Sequence, residues 1–219
     1  MALEQLFPVP SAAAIVRSAD AVAEFAEEES AIAGATIARQ REFLGGRNAA
    51  RRALLALGAP AVPLLPDRDR VPRWPAGYIG SISHCATACA AVAVRRVHAR
   101  SVGLDVEPNV ALPCGIERLI LSPWEFVRLP YHCTGIADCR KLAFVAKEAF
   151  YKCFFPVCRT FLEFRDVRLC WGLSDECSGN FRAELIKRDR VACGVAKRIV
   201  GRWLLDLDLG LIWAGATLV

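Results

Sequence analysis

Apolar positions in this chain recur at two spacings, about 3.6 residues in some stretches and two in others, which separates predicted helices from predicted strands. Residues 20–33 read as a helix: Asp20 can cap it, and Val22, Phe25, Ala26 and Ile32 share a face. Residues 36–57 read more strongly. Phe43, Ala50, Leu54 and Leu57 recur at helical spacing, and Gly58 with Pro60 ends the run. The Gly45-Gly46 pair inside it marks a break or a close approach. Residues 60–75 are proline-rich and predict an irregular connector that carries Arg68, Arg70 and Arg73. Residues 78–83 and 89–95 predict strands on either side of a turn or short helix that begins at His84, and residues 102–107 a third strand, ended by Pro108. Ser122-Pro-Trp-Glu125 opens a short helix, with proline at its first position and glutamate three after the cap. A long helix over 136–154, closed by Pro156, follows. Residues 164–171 and 181–187 predict a hairpin with 175–179 in its loop, and 210–218 a last strand. Helices then strands occur twice, which predicts an α+β protein of two similar lobes, 1–102 and 103–219. No sequence repeat accompanies them.

A length of 219 residues suits one large domain or two lobes of about 100 each. At 54% hydrophobic and 23% charged, the chain can bury an ample core. The ten cysteines mostly sit inside apolar runs, such as Cys89, Cys153, Cys170 and Cys193, where the thiol acts as a small hydrophobe. No Cys-x-x-Cys occurs and only three histidines are present, which argues against a disulfide framework or a zinc site. Reduced thiols and a cytoplasmic location are the expectation. The first residues lack a basic segment followed by an apolar one, so no signal peptide is expected. No run of about 18 uncharged apolar residues predicts a membrane span. The net charge of +5 is modest, so where the basic residues cluster matters more than their sum.

The most informative chemistry breaks the rule that charge stays out of apolar segments. Asp105 and Glu107 lie two apart in Ser101-Val-Gly-Leu-Asp-Val-Glu-Pro108. On a strand they point to one face about 6.5–7 Å apart, while Leu104 and Val106 take the other. Converging carboxylates raise each other's pKa or recruit a hard divalent cation, Mg²⁺ first. The plain alternative is a solvated strand edge. Glu148 and Lys152 share a face of the 136–154 helix, which is too apolar around its circumference to be a surface helix. Ser81, Ser83 and His84 end a strand. Adjacent strand residues face opposite ways, so Ser83 is badly placed to use His84 as a base, and the group suits a phosphate better, or merely rims a turn. Arg47 and Arg51 share one face of the 36–57 helix. Planar guanidinium forks suit a compact polyphosphate; a solvated helix side or a nucleic-acid surface are the alternatives.

Together these segments resemble the 4'-phosphopantetheinyl transferases. Gly103-Leu-Asp-Val-Glu107 and Lys147-Glu-Ala-Phe-Tyr-Lys152 resemble the two signature motifs of that family, and Ser81-Ile-Ser-His84 its Ser-x-Ser-His segment. Arg47-Asn-Ala-Ala-Arg51 with Leu54 and Gly58, then Trp74-Pro-Ala-Gly77, resemble the enterobactin-synthase branch of the surfactin-synthetase-activating type. The likeness runs over residues 42–156. It implies a pseudo-twofold α+β monomer holding coenzyme A between its lobes. The implied reaction moves the phosphopantetheine arm to a serine of an acyl or peptidyl carrier protein and releases 3',5'-ADP, with Mg²⁺ required. The implied metal ligands are Asp105, Glu107 and Glu148. Glu148 and Lys152 are the implied catalytic pair, Lys152 also touching the diphosphate. Arg47, Ser83 and His84, joined by Arg51, would bind the nucleotide end of coenzyme A, and Arg70 and Arg73 both qualify as the basic residue the family has near the connector. No nucleic acid or membrane is implied, and siderophore or other nonribosomal peptide synthesis is the implied setting. Two other readings are a non-catalytic homologue that binds coenzyme A or a carrier protein, and a nucleic-acid-binding protein using the arginine helix. The second leaves the acids without a role.

Overall fold

A computed structural model describes residues 2–186 and 198–219 and shows a mixed α/β protein built on two sheets. The first sheet has three antiparallel strands, Ser11–Arg17 (β1), Tyr78–His84 (β2) and Ala88–Arg95 (β3), in the order β1-β3-β2. The second has five, Ser101–Pro108 (β4), Val167–Ser174 (β5), Ser178–Leu185 (β6), Arg198–Asp206 (β7) and Leu211–Leu218 (β8), in the order β4-β8-β7-β6-β5. β1 and β7 were not anticipated. Three successive alanines in β1 carry no strand signal, and Gly201 and Arg202 interrupt the apolar pattern of β7. Pairing with β3 in one case, and with β6 and β8 in the other, overrides weak local preference.

Each sheet carries one 20-residue helix. Ile37–Ala56 (α2), preceded by the short helix Ala26–Ile32 (α1), covers the first sheet. Thr36 caps α2, its Oγ1 accepting the Arg39 N–H at 3.3 Å. The Gly45-Gly46 pair is a close approach and not a break: a Cβ there would stand 2.7 Å from Cys89 Sγ and 2.6 Å from an Ile82 methyl, respectively. The helix expected over 20–33 begins only at Ala26. Asn48 exchanges hydrogen bonds with the Val22 backbone at 3.0 and 3.1 Å, which holds the preceding residues extended along α2.

Glu117–Ile120 (α3) and Pro123–Phe126 (α4) lead to Cys139–Cys158 (α5), which covers the second sheet. The capping box read at Ser122 and Glu125 is present in α4. α5 passes through Pro156, which had been expected to close it. A proline in the last turn removes one hydrogen bond, and the helix ends at Arg159, in the left-handed region, whose N–H reaches Phe155 O at 2.8 Å. The hairpin β5–β6 forms with a tighter loop than expected, Asp175 N–H bonding Ser178 O at 2.8 Å. Its expected end at Lys187 lies outside the described residues.

The core has three parts. Ala49, Ala53 and Leu54 pack α2 on the first sheet. Val145, Phe150 and Trp203 belong to the layer between α5 and the second sheet. Val92, Leu104 and Trp213 fill the space between the sheets. Eight described cysteines are free thiols, but Cys158 is disulfide-bonded, so the all-reduced expectation fails there; Cys193 lies outside the described residues. Among the described residues, no helix is long and apolar enough to cross a membrane.

Candidate active site

The two sheets meet where β2 faces β4. Side-chain hydroxyls form the seam: Ser81 Oγ accepts the Leu104 N–H at 3.0 Å, and Ser83 Oγ the Val106 N–H at 3.2 Å. Ser83 also donates to Asp105 Oδ1 at 2.9 Å and accepts from Lys152 Nζ at 2.8 Å. One hydrogen and two lone pairs are thereby used, so Ser83 orients the acid and the lysine in this structure.

Gly103 allows β4 to lie directly on α5, because a Cβ there would overlap the Ala149 carbonyl oxygen. That approach brings Lys152 Nζ to 2.7 Å from Asp105 Oδ1. Asp105 is buried, and its Oδ2 has no hydrogen-bond partner. Glu107 is engaged elsewhere, its Oε2 2.6 Å from Lys141 Nζ. Glu148 is pushed up to about 7, chiefly by burial and then by the Asp105 charge, with Glu107 adding and Lys152 opposing. Both other acids therefore act on Glu148. Even so, among the described residues no three His, Cys, Asp or Glu side chains form a group that could hold a metal ion as they stand. Two of the three acids are lysine-paired instead.

Beside Lys152 a cavity of about 580 Å³ opens between the halves, lined by Arg39, Arg47, Arg70, His84 and Lys152 among others. Arg39 Nη1 lies 2.9 Å from His84 Nε2, and Glu42 pairs with Arg39 at 3.1 Å and faces His84 Nδ1 at 3.7 Å. Burial is the main cause of the lowered His84 pKa, with Arg39 and Lys152 adding to it against Glu42. The Arg39 donor then assigns the imidazole proton to Nδ1, toward Glu42. Arg47 is buried, stacks 3.6 Å over the Phe43 ring and donates from Nε to Leu64 O at 3.1 Å. Burial lowers its pKa to about 10, which still leaves it a cation at neutral pH.

Arg51 sits differently from Arg47. It is 2% exposed, pairs with Glu24 at 2.7 Å and Glu28 at 2.6 Å, and does not line this cavity. Glu28 also accepts the Leu64 N–H at 2.7 Å, so Arg51 braces the connector. Arg73 lines a neighbouring cavity with Arg96 and Arg100. Arg39, Glu42 and Lys141 were not singled out from the sequence. The i, i+4, i+8 row Arg39–Phe43–Arg47 could have found the first, and the seven-residue spacing of Lys141 and Glu148 the last.

Glu148 itself opens on a separate, mostly apolar cavity of about 340 Å³ with Phe161, Leu162 and Val167 in its wall. Tyr151 lines both cavities. A carboxyl whose pKa is pushed up to about 7 thus stands on an apolar cleft that shares Tyr151 with a cation-rich one. Such an arrangement can take a proton on one side while it binds an anion on the other.

Comparison with known proteins agrees with this chemistry. The N-terminal domain of the 4'-phosphopantetheinyl transferase family matches residues 27–94. The 4'-phosphopantetheinyl transferase PptT of Mycobacterium tuberculosis is 35% identical over 185 residues, 84% of this chain and 82% of that protein. The 4'-phosphopantetheinyl transferase Npt of Nocardia iowensis is 33% identical over 184 residues, 81% of this chain and 82% of that protein. Enterobactin synthase component D of Escherichia coli is 37% identical over 116 residues, 52% of this chain and 54% of that protein.

Proposed function

The chain belongs to the 4'-phosphopantetheinyl transferase family, and from that premise we propose that it transfers the 4'-phosphopantetheine group of coenzyme A to a serine of an acyl or peptidyl carrier protein. One observation carries the reading. Lys152 and Asp105 hold each other at 2.7 Å on a cation-lined cavity, with Glu148 raised toward neutrality beside them. Coenzyme A lies in the larger cavity, where Arg39, Arg47 and Arg70 receive its phosphates, and His84 joins them only by turning its Nδ1 proton from Glu42. Lys152 donates its remaining hydrogen to the diphosphate. The carrier serine approaches on the side of the apolar cleft, and its proton passes to Glu148. The serine oxygen bonds to the β-phosphorus, the bond from that phosphorus to the oxygen of the adenosine-side phosphate breaks, and 3',5'-ADP leaves.

The donor set fits a hard divalent ion at Asp105 and Glu148, because Asp105 Oδ2 is a buried acceptor without a partner. Glu107 joins that set only by releasing Lys141. Magnesium held there would neutralise charge on the diphosphate. Arg51 and Ser83 act in this reading as supports, and Arg73 at the neighbouring cavity.

We read the helix-on-sheet halves as copies of one unit about a pseudo-twofold axis, 1–102 serving the nucleotide and 103–219 the metal and the chemistry. A cytoplasmic monomer serving siderophore or other nonribosomal peptide synthesis completes the proposal. Its test is the mass of an apo-carrier protein, which should rise by about 340 Da only with coenzyme A and Mg²⁺ present. Asp105→Ala or Glu148→Ala should lower turnover by orders of magnitude, about 10² or more, without unfolding the protein. Full turnover in either variant removes the reading of the acids.

A further inference from the structure

Among the described residues only two that are not glycine have a positive φ: Arg70 at 66° and Arg159 at 50°. The left-handed region costs an ordinary residue about 1 kcal/mol or more, and such residues concentrate where a structure uses them. These two stand on either side of one contact. Arg159 ends α5 in the second half, and Arg70 belongs to the connector of the first. Arg159 Nη1 bridges two connector acids, at 2.7 Å from Asp67 Oδ2 and 2.9 Å from Asp69 Oδ2.

Asp67 organises the loop from within. Its Oδ1 accepts the N–H groups of Asp69 and Val71, each at 2.9 Å. Its backbone closes the turn, Asp67 N–H to Val71 O at 2.8 Å and Arg70 N–H to Asp67 O at 3.0 Å. The tip of that turn is Arg70, at φ 66°, which lines the larger cavity. We propose that Arg159 is a positioning residue for coenzyme A: it latches the 67–71 turn of one half to the end of α5 in the other, and so holds the Arg70 guanidinium in the cavity. This rests on the reading of that cavity as the coenzyme A site.

The latch is too exposed to matter much for stability. The Arg159 side chain is 40% exposed and that of Asp69 34%, and ion pairs of that kind contribute little to folding. Its effect falls on where Arg70 stands. Steady-state transfer with coenzyme A varied at saturating carrier protein therefore tests it, read beside thermal melting. Arg159→Ala should raise KM for coenzyme A about tenfold, with kcat within about twofold and the melting temperature nearly unchanged. Arg159→Lys should recover part of the loss, since it keeps a cation for the two acids but lacks the reach and the planar rigidity of the guanidinium.

The deciding variant is Arg70→Ala combined with Arg159→Ala. A residue that works through Arg70 adds nothing once Arg70 is gone, so the double variant should match Arg70→Ala within about twofold. Unchanged KM in Arg159→Ala, or effects that multiply fully in the double variant, overturns the latch. Asp69→Asn gives the same readout from the other side if Arg159→Ala does not fold. A wild-type protein that transfers nothing from coenzyme A removes the cavity reading and the latch with it. An active wild type with an indifferent Arg159 removes the latch alone.

Discussion

Lys147 and Lys152 lie five residues apart on α5, each paired with an acid, and their surroundings differ in one countable way. Lys147 is 2% exposed, with Ile120 O and Phe164 O each at 2.8 Å, Val167 O at 2.9 Å and Glu125 Oε1 at 2.8 Å. An ammonium group has three hydrogens, so acceptors outnumber donors. Glu125 is closed as well, holding the Leu169 N–H at 2.9 Å and both donors of Ser122. Lys152 has Ser83 Oγ and Asp105 Oδ1, which leaves one hydrogen toward the cavity, and Asp105 keeps a free buried oxygen. A buried charge whose hydrogen bonds close on themselves is a strut. Lys152, with a hydrogen left over and its side chain 29% exposed, is open to solvent or to a ligand.

The strongest way to break this comparison is to remove each lysine. Lys147→Met leaves Glu125 buried and unpaired and should destabilise the protein by about 3–5 kcal/mol in urea unfolding. Lys152→Ala should cost less stability, because Lys152 is part-exposed and Asp105 keeps the Ser83 hydrogen, yet transfer about 10²–10³-fold more slowly. If the two variants showed the same ratio of stability loss to activity loss, the distinction would be empty. Next in size is Ser81→Ala at the seam between the sheets. It leaves the buried Leu104 N–H without its acceptor and should cost about 1–3 kcal/mol, seen as a lower melting temperature.

The smallest effect sharpens the open region alone. Glu148 binds its proton more tightly folded than unfolded, about 7 against the ordinary 4.5. The native metal-free state therefore holds the extra proton between those values. Stability from that proton is full below about pH 4.5 and is lost as pH rises through about 7. Glu148→Gln has nothing to lose, so its melting temperature should gain on the wild type between pH 5 and pH 8. A constant gap across that range would mean an ordinary, solvated carboxyl.

Much of the fold was legible where the signal is local. α2 was read almost to its ends, because Thr36 caps it and its apolar residues keep one period. α4 was legible from Ser122 and Glu125. β1 and β7 were not, because alanine and glycine say little until a neighbouring strand is known. In the site, the shared face of Asp105 and Glu107 follows from their spacing, and Lys152 and Glu148 from theirs. Arg47 and Arg51 looked alike in sequence, four apart on one helix. Structure separates them, with Arg47 on the cavity and Arg51 buried in ion pairs with Glu24 and Glu28.

What the sequence determined by itself is which charged groups this protein owns, on which face of which element, and the family whose motifs they form. Only the tertiary structure decided their partners. Lys152 meets a serine 69 positions away and an acid 47 away, and Glu107 meets a lysine 34 away. Helix and strand periods are short-range and can be read along the chain. The choice between a satisfied charge and an open one depends on what folding brings up from elsewhere, and no local pattern encodes that distance.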